Sequence, residues 1–307
     1  MIYDIFHETT FKYQSPVTFS HNIARLKPKE SPEQELVAFR LEVEPQASEI
    51  HAFVDMFGNT NHHLLLREPH TALKVIGHSR VRRQTGYAAE AIGRLRAEAP
   101  TYAQALQRLA NFDTRDIAAK QFLFASPLIP VEHGPIRDYA LASFRPDRSL
   151  FEAGGELMGR IFEDFAFEPG FSDLATPVGT IFEEKKGVCQ DFAHLAIAAL
   201  RSIGLPARYV SGYIETVPPE GKEKLFGADA SHAWVSLYVP GNGWLDFDPT
   251  NNIIPLEQHI VLGHGRDYQD ISPLKGVVRS SGRSRLGVRV DVRRADEEAS
   301  ATAVPKP

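Results

Sequence analysis

The stretch Gly187-Val188-Cys189-Gln190-Asp191-Phe192-Ala193-His194, running on to Ile203-Gly204-Leu205-Pro206, decides how this chain is read. Phe192, Leu195, Ala196, Ala199, Leu200 and Ile203 recur at three- and four-residue steps, so they share one face of a helix. Gly204 stands where a helix-ending glycine belongs, and Pro206 blocks continuation. Cys189 is the only cysteine and opens that helix. Free N–H groups and the positive end of the helix dipole favour a thiolate there. The same N–H groups could hold an oxyanion. Asp191 is positioned to cap the helix or meet its N-terminus, and His194 reads as packing or as a donor behind the thiol.

Two strand-like runs follow the helix, Ala207 to Glu215 and His232 to Val239, then a shorter one, Trp244 to Asp248. Pro240-Gly241-Asn242-Gly243 is a turn signal that folds the last two into a hairpin. His232 and Asp248 then lie at its open end, where neighbouring strands are about 5 Å apart and an Asp–His hydrogen bond is feasible. A nucleophilic cysteine needs such a histidine as proton acceptor and a third group to orient it. Asp246 and Asp248 face the same side of a regular strand, and periodicity does not choose between them.

The ordered set of Gly187-Val188-Cys189-Gln190-Asp191, Ser231-His232-Ala233-Trp234-Val235 and Trp244-Leu245-Asp246-Phe247-Asp248-Pro249-Thr250-Asn251 resembles the transglutaminase-like core. It is most similar to the bacterial branch of transglutaminase-like cysteine proteases. His7, Asp55 and Phe57-Gly58-Asn59 resemble the β domain that precedes the core in that branch. Gly265-Arg266-Asp267-Tyr268, with Asp270, Pro273 and Gly276, resembles its C-terminal signature. The resemblance implies a papain-like fold and an acyl-enzyme mechanism on an amide. Cys189 would attack, His232 would shuttle the proton and Asp248, favoured over Asp246 by the Asp-Pro-Thr-Asn match, would orient His232. Animal transglutaminases carry an upstream tryptophan as oxyanion donor, whereas Trp234 and Trp244 both lie downstream here. The oxyanion donor is therefore open, with the Cys189 N–H first and the Gln190 and Tyr209 side chains behind it. Asp191, Trp234 and Asn251 complete the set expected to support the site. Trp234 and Trp244 read first as core and second as walls of a cleft, and Arg266-Asp267-Tyr268 as a structural loop beside it.

The fold class expected is α+β: a papain-like, transglutaminase-core cysteine-enzyme domain preceded by a small antiparallel β domain. Residues 1 to about 83 supply alternating strands punctuated by turn signals, and Asp55 to Thr60 reads as a hairpin tip. Ala88 to Leu109 is helix-rich but interrupted at Pro100, and Ile136 to Ala166 is helical with Leu150, Phe151, Leu157, Ile161, Phe162 and Phe165 on its apolar positions. The boundaries expected are 1–100 for the β domain and linker, 101–292 for the catalytic domain and 293–307 for a disordered tail. The polar loop Val217 to Asp229 is expected to be mobile and to border the cleft.

With 34 basic and 39 acidic residues the chain has no cationic excess to neutralise phosphates, and no nucleic-acid partner is expected. The first residues lack the pattern of a signal peptide, and no apolar run is long enough for a bilayer. The expectation is a cytoplasmic protein with no membrane partner, a peptide or protein substrate and no cofactor. His51, His62, His63 and His70 lack a metal-defining spacing, so no metal is expected, and no acidic cluster suggests calcium. Hydrolysis, transfer of the acyl group to an amine, and a scaffold without turnover all remain open at this level.

Overall fold

The computed structural model describes residues 1–111, 113–131, 134–215, 229–279 and 282–295. Six strands come first: β1 (Ile2–Val17), β2 (Phe19–Ala24), β3 (Gln34–Glu44), β4 (Glu49–Val54), β5 (Thr60–Leu66) and β6 (His70–Arg83). Helices α1 (Tyr87–Glu98), α2 (Tyr102–Ala110), α3 (Ile117–Lys120), α4 (Pro135–Leu141) and α5 (Leu150–Asp164) follow. Next come β7 (Ala166–Phe167), α6 (Val178–Glu184), β8 (Lys186–Gly187) and α7 (Cys189–Ser202). The chain closes with β9 (Ala207–Ile214), β10 (Ser231–Val239), β11 (Gly243–Phe247), β12 (His259–Gly265), α8 (Tyr268–Ile271), β13 (Leu274–Arg279) and β14 (Ser284–Ala295).

The N-terminal strands form two antiparallel sheets, ordered β14-β1-β6-β3 and β13-β2-β5-β4. Their inner faces enclose Tyr13, Val17, Leu26, Leu64, Leu66, Leu73 and Val75. The alternation read from sequence thus builds a sandwich, and Gly58 takes a positive φ of 76° at the expected hairpin tip. Each sheet, however, is completed by a strand from the other end of the chain. Residues 293–295, expected to begin the tail, are the end of β14, where Arg293, Arg294 and Ala295 pair with Asp4, Tyr3 and Ile2. Residues 274–279 likewise pair with β2 rather than with the catalytic sheet, so the expected boundary at 292 cuts through a strand. Nothing in the local pattern of residues 274–295 identifies partners more than 200 positions away. Residues 296–307 lie outside the described residues.

The second unit centres on α7. Every residue from Asp191 to Ser202 is buried, the signature of a helix covered on all sides. β9 and β10 cover one side, and α4, α5 and α6 cover others. Gly204 (φ 82°) ends the helix as expected: its N–H bonds Arg201 O at 3.0 Å, and Leu205 N–H bonds Leu200 O at 3.0 Å. Pro100 separates α1 from α2, and Thr101 caps α2 through Gln104. Residues 142–149 interrupt the expected helix between α4 and α5. Phe162, placed on the apolar face by spacing, is instead 47% exposed.

The antiparallel sheet β11-β10-β9-β12 carries α7 on one face and meets the sandwich on the other. Tyr3, Ile5, Val81, Val290 and Val292 from the sandwich pack with Tyr213, Ile260 and Leu262. Two amides clamp the edge strand β12. Gln34 bonds both backbone groups of Val261 (2.7 and 2.8 Å), and Asn59 bonds both backbone groups of His264 (2.7 and 2.9 Å). Asn59 is held by Asp55 in turn. The Asp55-to-Asn59 tip therefore fixes a strand of the other unit.

Candidate active site

Cys189 is half-buried at the first position of α7. Val188 before it is extended, and its N–H donates to Asp191 Oδ2 at 2.8 Å, so Asp191 ties down the helix start. The Ser172 hydroxyl bonds the same carboxylate oxygen. Burial raises the Asp191 pKa, and those two hydrogen bonds only partly oppose it.

His232 lies at the start of β10 and is hydrogen-bonded to the Cys189 thiol. Its Nε2 donates to Asp248 Oδ2 at 2.7 Å, which leaves Nδ1 for the sulfur. Burial alone would lower the His232 pKa, but the hydrogen bonds to Asp248 and Cys189 outweigh it and raise it to about 10. The imidazole is therefore held as its cation. Asp248 is fully buried and has no free lone pair to spare. Its Oδ1 accepts from Thr250 N–H (3.0 Å) and Asn251 N–H (3.3 Å), and its Oδ2 also accepts from Asn251 Nδ2 (2.8 Å) and His259 Nε2 (3.0 Å). Burial opposes its charge, and the His232, His259 and Asn251 hydrogen bonds overcome it, holding the carboxyl below its ordinary range.

The structure separates the two aspartates that periodicity could not. Asp246 accepts from Trp234 Nε1 at 2.9 Å and does not reach His232. Trp234 is wholly buried, its indole 6.0 Å from the His232 ring and 5.1 Å from that of His259, so it floors the histidines rather than walling an open cleft. Trp244 packs with Phe122 and Tyr238. Tyr209 is buried close enough to Cys189 for the two to interact electrostatically, after burial itself, which raises the phenol well above its usual value. Gln190 is half-buried beside Cys189 on the helix. His194 sits under Tyr209, and its Nε2 accepts from Tyr268 N–H at 3.2 Å. Read as a possible donor, it is an acceptor here, and burial lowers it to about 4. Asp267 caps α8 and accepts from Leu128 N–H, so the Arg266-Asp267-Tyr268 loop organises the surroundings of α7.

His259 escaped the sequence reading. It heads β12, is 1% exposed and shares the Asp248 oxygen with His232. A histidine at a strand head, like His232, was the one available signal. His232, Asp248 and His259 are also near enough to share a metal ion, with ligand atoms within 4.8 Å of one another. Hydrogen bonds from both imidazoles to one carboxylate oxygen account for that grouping. Of the Val217-to-Asp229 loop, all but Asp229 lies outside the described residues; Asp229 itself is bonded to β14 through Val290 and Val292.

A thiol at a helix start, an imidazolium and a buried carboxylate in one line define a thiol-enzyme site on a papain-like scaffold. Comparison with known proteins agrees. Residues 3–82 match the family model for the bacterial transglutaminase-like N-terminal region, and residues 140–249 match that for the transglutaminase-like superfamily. An uncharacterised protein of Mycobacterium tuberculosis is 36% identical over 298 residues, covering 94% of this chain and 92% of the relative. One from Mycobacterium leprae is 31% identical over 300 residues, covering 94% and 98%. The chain belongs to the bacterial transglutaminase-like family. A protein-glutamine gamma-glutamyltransferase of Pseudomonas aeruginosa is 32% identical over 155 residues, which is 46% of this chain and 23% of that protein. A crystal structure from Cytophaga hutchinsonii, described as a candidate cysteine protease, superposes with a TM-score of 0.74 at 22% identity, covering 98% and 92% of the two chains. That likeness speaks for the fold.

Proposed function

We propose that the protein forms an acyl-enzyme at Cys189 from an amide of a peptide or protein and hydrolyses it. The observation that carries this reading is His232 held between Cys189 and Asp248. The thiolate attacks the carbonyl carbon and a C–S bond forms. The His232 imidazolium then protonates the departing nitrogen as the C–N bond breaks, leaving a thioester and a free amine. Water adds to the thioester with loss of a proton to His232. The C–S bond breaks and the acid is released. Asp248 keeps His232 in the orientation that both halves need and stabilises the imidazolium each time it forms. N–H groups at the start of α7 supply the oxyanion site, with the buried Tyr209 phenol, which interacts electrostatically with Cys189, as a further candidate donor.

Transfer of the acyl group to an amine is the second reading, favoured by the partial match to a gamma-glutamyltransferase. The two share every step up to the thioester. A peptide-library digest with and without an added primary amine separates them. Hydrolysis gives cleaved peptides in both arms. Transfer gives amine adducts in the second arm and little cleavage in the first. Cys189→Ala is expected to abolish either product, and product formation by that variant would sink the proposal. Iodoacetamide labelling followed by intact mass measurement supplies a substrate-free check. Cys189 should alkylate faster in the folded protein than in a denatured control.

A further inference from the structure

Behind the Cys189–His232–Asp248 line, on the sandwich side of the β11-β10-β9-β12 sheet, lies a cavity of about 320 Å³. Its walls carry the cations Lys29, Arg83, Arg94 and Arg208 and the acids Glu33 and Asp246. Arg83 is buried and Lys29, Arg208, Glu33 and Asp246 are half-buried, and opposite charges drawn partly out of water normally close on one another. Here none of the four cations comes within ion-pair distance of a carboxylate among the described residues. Lys29, Arg83 and Arg208 are instead held by neutral partners. Lys29 Nζ donates to the carbonyls of Phe57 (3.1 Å) and Gly58 (2.6 Å). Arg83 donates to Gln34 Oε1 (3.4 Å) and Leu256 O (3.2 Å). The Arg208 guanidinium stacks over Trp244 at 4.1 Å, and its buried Nε has no hydrogen-bond partner among the described residues. Asp246 is held by the Trp234 indole.

The charges are thus fixed apart with space between them. Polar atoms of the lining residues are also unused. Arg208 Nε, Arg83 Nε, His264 Nδ1 and His259 Nδ1 are all buried without a hydrogen-bond partner, and the last three belong to side chains at least nine-tenths buried. A plain anion would satisfy the cations but face two carboxylates. A plain cation would meet the reverse.

We infer that this cavity binds a small zwitterion, an α-amino acid, with its carboxylate on Arg208 and Arg83 and its ammonium on Glu33 and Asp246. The cavity volume falls in the range of small-molecule sites. The occupant would also be felt at the thiol site. His259 lines the cavity and donates Nε2 to Asp248, so an occupant packed against its ring would hold it in the orientation that makes that bond. This second effect rests on the proposed thiol chemistry. The binding itself does not.

The test is a thermal-shift screen of the L-amino acids at millimolar concentration, followed by calorimetric titration of those that score. Acetate and methylammonium, each carrying half of the charge pair, serve as controls. At least one amino acid should raise Tm while neither control does. Arg208→Met, which keeps an apolar chain over Trp244, should abolish the shift. Glu33→Gln, at the cavity margin, should weaken binding roughly tenfold or more, the loss of one charged hydrogen bond. If Arg208→Met does not fold, Glu33→Gln carries the test. The inference is overturned if no amino acid binds, if acetate alone binds as well, or if the variants bind like the parent. Binding is read on Cys189→Ala as well, so an inert thiol would leave the result standing. On the parent protein, a bound amino acid should change the alkylation rate of Cys189.

Discussion

Asp248 does more at the site than its single-letter role suggests. One oxygen is pinned by the backbone of the following turn, and the other collects His232, His259 and Asn251. Asp248→Asn keeps the shape but reverses one donor–acceptor relation, and kcat/KM should fall by roughly 10³ to 10⁴. The pH profile should move too. His232 protonates below about 10, so the parent's alkaline limb should lie far above the ordinary histidine value of 6.5. In Asp248→Asn that support is gone and the limb should shift downward. An unchanged limb would mean that Asp248 does not set the charge of His232. At this scale the sequence was informative where chemistry is local. Cys189 at a helix start and Asp248 before Pro249 carry their meaning in their neighbours. His259 does not, because its role arises only when β12 pairs beside β9 and brings it to a carboxylate eleven positions back.

Among the elements, β9 shows how tightly the sheet behind the thiol is built. Gly212 pairs with His232, and a methyl group on it would lie 2.1 Å from the Ile260 carbonyl oxygen and 2.6 Å from the Trp234 indole. Neither neighbour can give way, the one being backbone and the other fully buried. Gly212→Ala should cost about 3 kcal/mol or more, above the usual range for overpacking because a strand must move. A drop in Tm on the order of 10 °C by calorimetry is expected, and an unshifted Tm would refute the packing argument. The helix and hairpin were legible from their periodicity and punctuation. The sandwich partners were not, since β13 and β14 look like any exposed strands until β2 and β1 claim them.

For the whole molecule, buried neutral histidines set the acid limit. His7 in the sandwich and His194 under the thiol site are both lowered to about 4, His7 by burial alone and His194 chiefly by it. The unfolded chain takes up those protons first, near 6.5, so stability is complete above that value and is lost as pH falls toward 4. The gap corresponds to about 3 kcal/mol per histidine. Thermal melts should show Tm falling between pH 6.5 and 4, and replacing His7 by Gln should flatten that slope. A pH-independent Tm across the window would contradict it. The sandwich also predicts the effect of truncation. Removing residues 282–307 exposes the long edge of β1, and the product should aggregate or melt well below the parent. A soluble, monodisperse truncation with the parent Tm would show that β14 is dispensable.

The pairing of β14 with β1 also fixes an order of events. Synthesis delivers β1 before the thiol unit and β14 after it, so the first sheet waits on its far partner until the thiol unit has been made. Pairings this distant in sequence are slow to form and leave edges open meanwhile. The thiol unit is therefore the part that can condense early. The sandwich, though its first six strands precede that unit, is finished after it, and its closure draws the Asn59 and Gln34 clamps onto β12. Newly made protein should thus acquire a buried α7 before it acquires a seated His259.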